Sequence, residues 1–244
     1  MCRHVILIST VVSTLSGLAH GLVGISWNVS NTPSSGLTDI SFPISMPDAP
    51  HESGFYFAQQ YSFGSSAMGY TGLQPRPDSD GQSIIHAVFS SFTKGSTTDD
   101  SNCSPGADGG DGVSCAVDVA SSYVDSYVLS VAKAGDTSWN GTLIDTTTGV
   151  STHIGSYSLP AGTANIQSSQ VGFVEYYPWN SDASHSCAAL PYTAVTFGTP
   201  YTKTPGAGDG ALSDAYEYGD CVGKVDFQNH RPTPNEVKTS VGFE

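Results

Sequence analysis

Positive charge is what this chain has least of. Eight Lys and Arg stand against 22 Asp and Glu in 244 residues, a formal net charge of −14. A surface of that sign repels phosphate backbones, so nucleic acid is not an expected partner, and anionic membranes are disfavoured for the same reason. Charged residues of both signs make up only 12% of the chain, while Gly, Ser and Thr abound. That balance suits a loop-rich extracellular β protein better than a cytosolic helical one. Beyond the first twenty residues no apolar run is long enough for a membrane-spanning helix. No stretch longer than about ten residues sustains a helical period, and no repeat has solenoid or propeller spacing. The G-x-S-x-G elbow, H-E-x-x-H and the P-loop are missing, which argues against serine esterases, zincins and nucleotide enzymes. Glu is rare, at Glu52, Glu175, Glu217, Glu236 and Glu244 alone.

The first twenty residues decide how the rest is read. Cys2-Arg3-His4 forms a basic start, Val5 to Leu15 is a short apolar segment, and Gly17-Leu18-Ala19 supplies small residues. This is the pattern of a secretory signal over residues 1–19, cut after Ala19, and it places the mature protein outside the cell. Four cysteines remain: Cys103, Cys115, Cys187 and Cys221. An even number in an oxidising compartment argues for two disulfides. Three connectivities are possible, and Cys103–Cys115 with Cys187–Cys221 closes the most plausible local loops. A zinc site would need C-x-x-C spacing, which the chain lacks. Asn28-Val29-Ser30, Asn102-Cys103-Ser104 and Asn140-Gly141-Thr142 fit the N-glycosylation pattern. Asn140 is favoured because Asn-Gly suits a turn, whereas a disulfide would crowd Asn102.

Alternating patterns mark the strands. Phe55, Phe57, Gln59, Tyr61 and Phe63 share one face of a strand over 55–63. A second strand over 69–74 is expected to end at Pro75 and Pro77. Ile84, His86, Val88 and Ser90 share one side of a third over 83–92. Further strands are read at 123–132, 139–145, 150–157, 171–177 and 193–198, with Thr146-Thr147-Thr148-Gly149 as a hairpin turn. Residues 95–118 and 203–214 read as Gly-rich loops. The expected organisation is an irregular segment with an edge strand over 20–53, one antiparallel β-sandwich or jelly roll over 54–230, and a polar, mobile tail over 231–244.

Several residues could carry chemistry. Glu175 shares a strand face with Val171, Phe173 and Tyr177, and a carboxylate among aromatics could serve as the acid of a glycoside hydrolase. The plainer reading is a solvated or hydrogen-bonded carboxylate. Arg76, His86, Tyr70 and Tyr177 are the residue types of a β-eliminating lyase, in which Arg would neutralise a uronate and His or Tyr would move protons. The shortage of basic groups counts against an anionic polymer. Tyr70 and Trp179, with Gln59, Gln60 and Gln74, fit a surface that stacks sugar rings and fixes hydroxyls, although any one aromatic is more often a core residue. Asp99, Asp100, Asp108 and Asp111 concentrate oxygen ligands and make calcium a candidate cofactor. The alternative is a hydrated acidic loop stapled by Cys103–Cys115.

Phe55-Tyr56-Phe57-Ala58-Gln59-Gln60-Tyr61, Gly69-Tyr70-Thr71-Gly72-Leu73-Gln74 and Ile84-Ile85-His86-Ala87-Val88-Phe89-Ser90 together resemble a family of secreted microbial proteins catalogued as a domain of unknown function. The Val171-Gly172-Phe173-Val174-Glu175 strand is similar to one in that family's C-terminal half, so the resemblance spans about residues 54–200. It implies a concanavalin-like jelly roll that keeps company with extracellular glycan-active modules, and it carries no established catalytic residues. The expectation is thus a secreted carbohydrate-binding β-sandwich acting on polysaccharide. The alternatives are a polysaccharide lyase or hydrolase and a self-associating structural protein.

Overall fold

The computed structural model describes residues 21–64, 67–182 and 184–244. The proposed signal over 1–19 lies outside them. Sixteen strands form two antiparallel sheets packed face to face, so the all-β sandwich expected from the alternating pattern is what the chain adopts. In chain order the strands are β1 (Gly21–Val29), β2 (Asp39–Ser45), β3 (Phe55–Phe63), β4 (Ala67–Ser79), β5 (Gln82–Ser91), β6 (Cys103–Ala107), β7 (Gly110–Ala120) and β8 (Tyr127–Lys133). They continue with β9 (Ser138–Asp145), β10 (Ser151–Ser158), β11 (Ser169–Tyr176), β12 (Thr193–Gly198), β13 (Gly210–Leu212), β14 (Tyr216–Glu217), β15 (Phe227–His230) and β16 (Glu236–Val241). Sheet one has the order β13-β1-β11-β3-β4-β5-β7-β6, with β14 also on β1; sheet two runs β10-β9-β8-β2-β12-β16-β15. No helix among the described residues is long and apolar enough to cross a membrane.

Each strand turns one set of alternate residues into a single core, where Trp27, Trp139, Tyr61, Tyr157, Phe42, Phe57, Phe63 and Phe89 are almost fully buried. Aromatic contacts stitch the two sheets together. Phe89 of β5 stacks on Tyr157 of β10 with ring centroids 4.5 Å apart, and the Tyr61 and Tyr157 hydroxyls lie 3.1 Å from each other. That shared hydrogen bond removes the penalty of burying two phenols. The hairpin at Thr146–Gly149 forms as expected: Asp145 accepts from the backbone of Thr147 and Thr148, and Gly149 takes φ +77°.

Four sequence expectations need correction. The segment 20–53 is not irregular, because it supplies β1 and β2, each paired on both sides. Pro43 argued against an interior strand there. It is tolerated because β12 pairs only with Ile44 and Ser45 and stops at Gly198, whose backbone lies against the Pro43 ring. The polar tail is likewise ordered, since β16 buries Val237, Thr239 and Val241 between β12 and β15. The acidic loop 95–118 is largely the β6–β7 hairpin, turning through Asp108 and Gly109 at positive φ. β4 also runs through Pro75 and Pro77 to Ser79, where its register with β5 shifts.

Both disulfides have the expected pairing, Cys103–Cys115 and Cys187–Cys221. The first cross-links β6 to β7 and packs on Gly155 of β10, so that a Cβ at Gly155 would lie 2.5 Å from Cys103 Sγ. The glycine lets the far edges of the two sheets close on the disulfide. Gly155→Ala is expected to cost about 1–3 kcal/mol by overpacking, read as a lower midpoint in chemical unfolding. The penalty should shrink when Cys103 and Cys115 are both replaced by Ala, because the obstructing sulfurs are gone. An equal penalty in both backgrounds would refute this account of the closure.

Candidate functional site

Parity within sheet one decides which residues can meet a ligand. With Phe57, Tyr61, Leu73, Ile85 and Phe89 turned into the core, the alternate residues form the outer face. Three rows cross it. The middle row is Gly24, Phe173, Ala58, Gly72, Val88 and Ala116, each opposite the next in the ladder. Its side chains are mostly minimal, so the row forms the floor of a trough. On one side lie Val171, Gln60, Tyr70, Ser90 and Ser114. On the other lie Glu175, Tyr56, Gln74, His86 and Asp118.

Aromatic rings fill the spaces that the small residues leave. A Cβ at Gly24 would meet the Tyr216 ring at 2.6 Å, one at Gly72 would meet Tyr56 at 2.6 Å, and Tyr218 covers Gly21. Phe173 receives the edges of Tyr56 and Tyr70 at 5.8 and 5.2 Å, and Tyr70 also leans on Phe92 at 4.4 Å. Between them Gly24, Gln60, Tyr70, Val171, Phe173, Tyr216 and Tyr218 line a depression of about 360 Å³. It continues past Val171 into a wider, shallower hollow beside Ser26, Asn28, Gln170 and Ser213. Asn28, the first residue of one glycosylation sequon, is exposed at that end.

Glu175 is the electrostatic centre of the trough. Its side chain is almost buried, and Oε1 accepts from Asn180 Nδ2 at 2.7 Å. Burial, reinforced by the charges of Asp108 and Glu175, pushes the Tyr70 phenol up to about 12. Burial also raises the Tyr56 and Tyr218 phenols, with Glu175 the next contributor in each case. All three hydroxyls therefore stay protonated at physiological pH and can donate hydrogen bonds. Tyr56 Oη is buried with no protein partner.

A second polar group lies on the same face, at and beyond the Gln74 row. Arg76 donates to Gln74 Oε1 at 2.7 Å, to the Tyr177 hydroxyl at 3.2 Å and to the Pro75 carbonyl at 3.1 Å. His86, opposite Gln74, holds Asp118 through Nδ1 at 2.6 Å. Burial lowers the His86 pKa and the nearby Arg76 charge adds to it, against the opposing pull of Asp118. Glu175, His86, Arg76 and Tyr177 thus share one face, but as two groups. Three strand spacings put Glu175 and His86 about 14 Å apart at Cα, wider than the carboxyl pairs of glycosidases.

The remaining candidates are scattered. Gln74 and Tyr70 lie on the outer face. Gln59 faces the core, with neither of its amide atoms satisfied by the protein. Gln59 is therefore not part of the sugar-binding surface expected of it, because its strand face is the one that meets the second sheet; its neighbour Gln60, of opposite parity, lines the trough. Trp179 is covered by His185 at 4.4 Å and Tyr176 at 5.4 Å, so it offers no open face. Asp99, Asp100, Asp108 and Asp111 are not gathered into a set. Asp100 accepts from Ser156, the Asn102 N–H and the His153 ring, Asp108 sits at the hairpin turn, and Asp111 lies 4.0 Å from Lys94. Among the described residues His185, Asp220 and Cys221 approach as metal ligands would, but the Cys221 sulfur is committed to its disulfide. Asn140 lies within β9 rather than at a turn, on its half-exposed side, and Asn102 donates to the His153 carbonyl.

No family model matches the chain, and no curated protein matches it by sequence. Solved structures do. The crystal structure of Scytalido-glutamic peptidase with a peptide-based transition-state analogue is similar over 93% of this chain and 100% of that one, with a TM-score of 0.50 at 17% identity. A second crystal structure of that peptidase, with a transition-state analogue inhibitor, gives the same values. SCP-B, a member of the Eqolisin family in complex with the tripeptide Ala-Ile-His, follows at 0.47 and 16%. At such identities the likeness shows the sandwich fold.

Asp100 offers a test of the local electrostatics. Desolvation raises its pKa, but hydrogen bonds from His153, the Asn102 N–H and Ser156 outweigh this and hold it below the usual carboxylate value. A depressed carboxyl contributes stability above its unfolded pKa of about 3.9 and loses that contribution as pH falls through the folded value. Asp100→Asn should therefore destabilise the protein at pH 5–7 and much less at pH 3, as followed by thermal melts; a pH-independent deficit would contradict the assignment.

Proposed function

We propose that the protein binds an extended glycan chain in the trough on the outer face of sheet one. The observation that carries this reading is the depression of about 360 Å³ in which Gly24, Val171 and Phe173 lie between the rings of Tyr70, Tyr216 and Tyr218. Sugar rings present C–H faces to aromatic rings and hydroxyls to amides and phenols. Gln60 and Gln74 supply the amides, and the protonated tyrosines supply donors. The two disulfides fit an oxidising, extracellular setting for such binding. The wide separation of Glu175 from His86 favours recognition over acid–base catalysis by that pair.

Glu175 supports a second reading, a hydrolase of the peptidase kind. A nearly buried carboxylate on a ligand-facing sheet, held by Asn180, is the type of group a glutamic peptidase is named for. Under this reading Glu175→Gln abolishes peptide release from denatured protein substrates, and release that persists in the variant removes Glu175 from the chemistry.

For the glycan reading, the mature protein is titrated calorimetrically against a panel of neutral and acidic oligosaccharides. Tyr70→Ala and Tyr218→Ala are each expected to weaken binding by about tenfold, the scale of one aromatic contact. Thr142→Ala, on the outer side of β9, should leave it unchanged. Failure of every glycan to bind would overturn the proposal.

A further inference from the structure

Seven of the eight cations lie among the described residues, and three of them, Lys94, Arg231 and Lys238, pair with a carboxylate, as Asp111, Asp214 and Asp48. Like Lys133, Lys203 and Lys224, Arg76 has no carboxylate within 4.0 Å among the described residues; unlike those lysines it presents a planar guanidinium on the outer face of sheet one. It is half-buried on the outer face, and its partners are neutral oxygens on Gln74, Pro75 and Tyr177. Those three bonds fix the guanidinium plane and use two hydrogens of Nη1 and one of Nη2. The Nε hydrogen and one Nη2 hydrogen remain for an external acceptor. A planar guanidinium held in this way is suited to a carboxylate, which it can grip through two parallel hydrogen bonds.

The neighbours favour the same ligand. His86 uses Nδ1 on Asp118, which leaves Nε2 for a second contact one strand away from the Arg76 row. Asp78, two residues along β4, is engaged by His51. Asp118 and Glu175 each lie two strands and two residues from Arg76, about 12 Å at Cα. A carboxylate in contact with the guanidinium is several times closer to that charge than to those acids, so the attraction outweighs their repulsion.

We propose that Arg76, positioned by Gln74 and Tyr177 and flanked by His86, is a carboxylate subsite beside the trough, two residues along β4 beyond the Gln74 row, and that the glycan bound there carries uronic acid residues. The inference rests on the glycan reading for the polymer, but the carboxylate site can be tested without it.

Two measurements separate the possibilities. In the first, the Arg76 Nε–H resonance of 15N-arginine-labelled protein is followed while sodium glucuronate is added, with glucose as the neutral control. A saturable shift with glucuronate, absent with glucose and abolished by salt, is expected; no shift overturns the subsite. In the second, trigalacturonate and its carboxyl-reduced counterpart are titrated into wild type, Arg76→Gln and Arg76→Lys. Arg76→Gln should weaken trigalacturonate by at least about tenfold, the scale of a lost charge-assisted pair. It should not affect the reduced sugar, and Arg76→Lys should recover part of the loss. Equal loss for both sugars would assign Arg76 a merely structural role and overturn the proposal. A glucuronate shift without binding of either trisaccharide would keep the carboxylate site and reject the glycan trough. A shift given equally by the C-terminal carboxylate of a tripeptide would reassign the ligand to peptide and overturn the uronate inference.

Discussion

The outer face of sheet one depends throughout on the period-two geometry of a strand that has one side committed to a core. In sheet one that commitment is heavy. Phe57, Tyr61, Phe63, Leu73, Ile85, Phe89 and Val113 are all nearly inaccessible, and a slip of one residue would turn them to water. Burying a Phe- or Leu-sized side chain is worth about 1.5–3 kcal/mol, so the register of β3, β4 and β5 is held by many such terms at once. The alternate residues are then fixed in place without having to stabilise the fold themselves. This is how Gly24, Phe173, Ala58 and Gly72 come to line up across four strands, three small residues around a single ring.

That row also explains the tyrosines. A glycine in a strand leaves part of the sheet uncovered, and the rings of Tyr56, Tyr216 and Tyr218 lie over Gly72, Gly24 and Gly21. The rings gain packing against backbone, and those of Tyr216 and Tyr218 line the depression while the Tyr56 hydroxyl is buried. Burial, with Glu175 adding to it, raises the Tyr56, Tyr70 and Tyr218 phenols, so they stay protonated near neutrality. The face consequently combines protonated phenols with the carboxylates of Glu175 and Asp118 and the guanidinium of Arg76.

Much of this architecture was legible in the residues. The 55–63 alternation matched β3, and the turn at 146–149, the two disulfides and the sandwich class all followed from pattern and chemistry. Glu175 is read as one candidate and Arg76, His86 and Tyr177 as another; the ladder puts Glu175, Arg76 and His86 on one face, and Tyr177 joins Arg76 there through its hydroxyl. What pattern could not supply was which face of a half-polar strand meets the core. Phe55-Tyr56-Phe57-Ala58-Gln59-Gln60 is apolar on both sides, so Gln59 and Gln60 are equivalent until a second sheet covers one of them. The strands at 21–29 and 236–241 were missed because long-range pairing, rather than local propensity, makes them strands. Trp179 was misleading for a related reason. An aromatic residue next to a candidate site looks like a platform until His185, brought in by the chain near Cys187–Cys221, is seen to cover it.

The shortage of Lys and Arg has a further structural consequence in how the chain holds its acids. Four of the five described histidines hydrogen-bond an aspartate: His51 with Asp78, His86 with Asp118, His153 with Asp100 and His185 with Asp220. These pairs join separate elements. His153 of β10 reaches the loop before β6 and so ties one sheet to the other, beside the disulfide that closes the same edge. An imidazole can perform this role neutral or charged, because its N–H donates in either state. Lysine offers a charge but no planar donor, and on an exposed surface its long chain loses entropy for a modest return. Among the described residues histidine thus does much of the pairing of acids that lysine and arginine do elsewhere, and Arg76 is held by neutral oxygens instead.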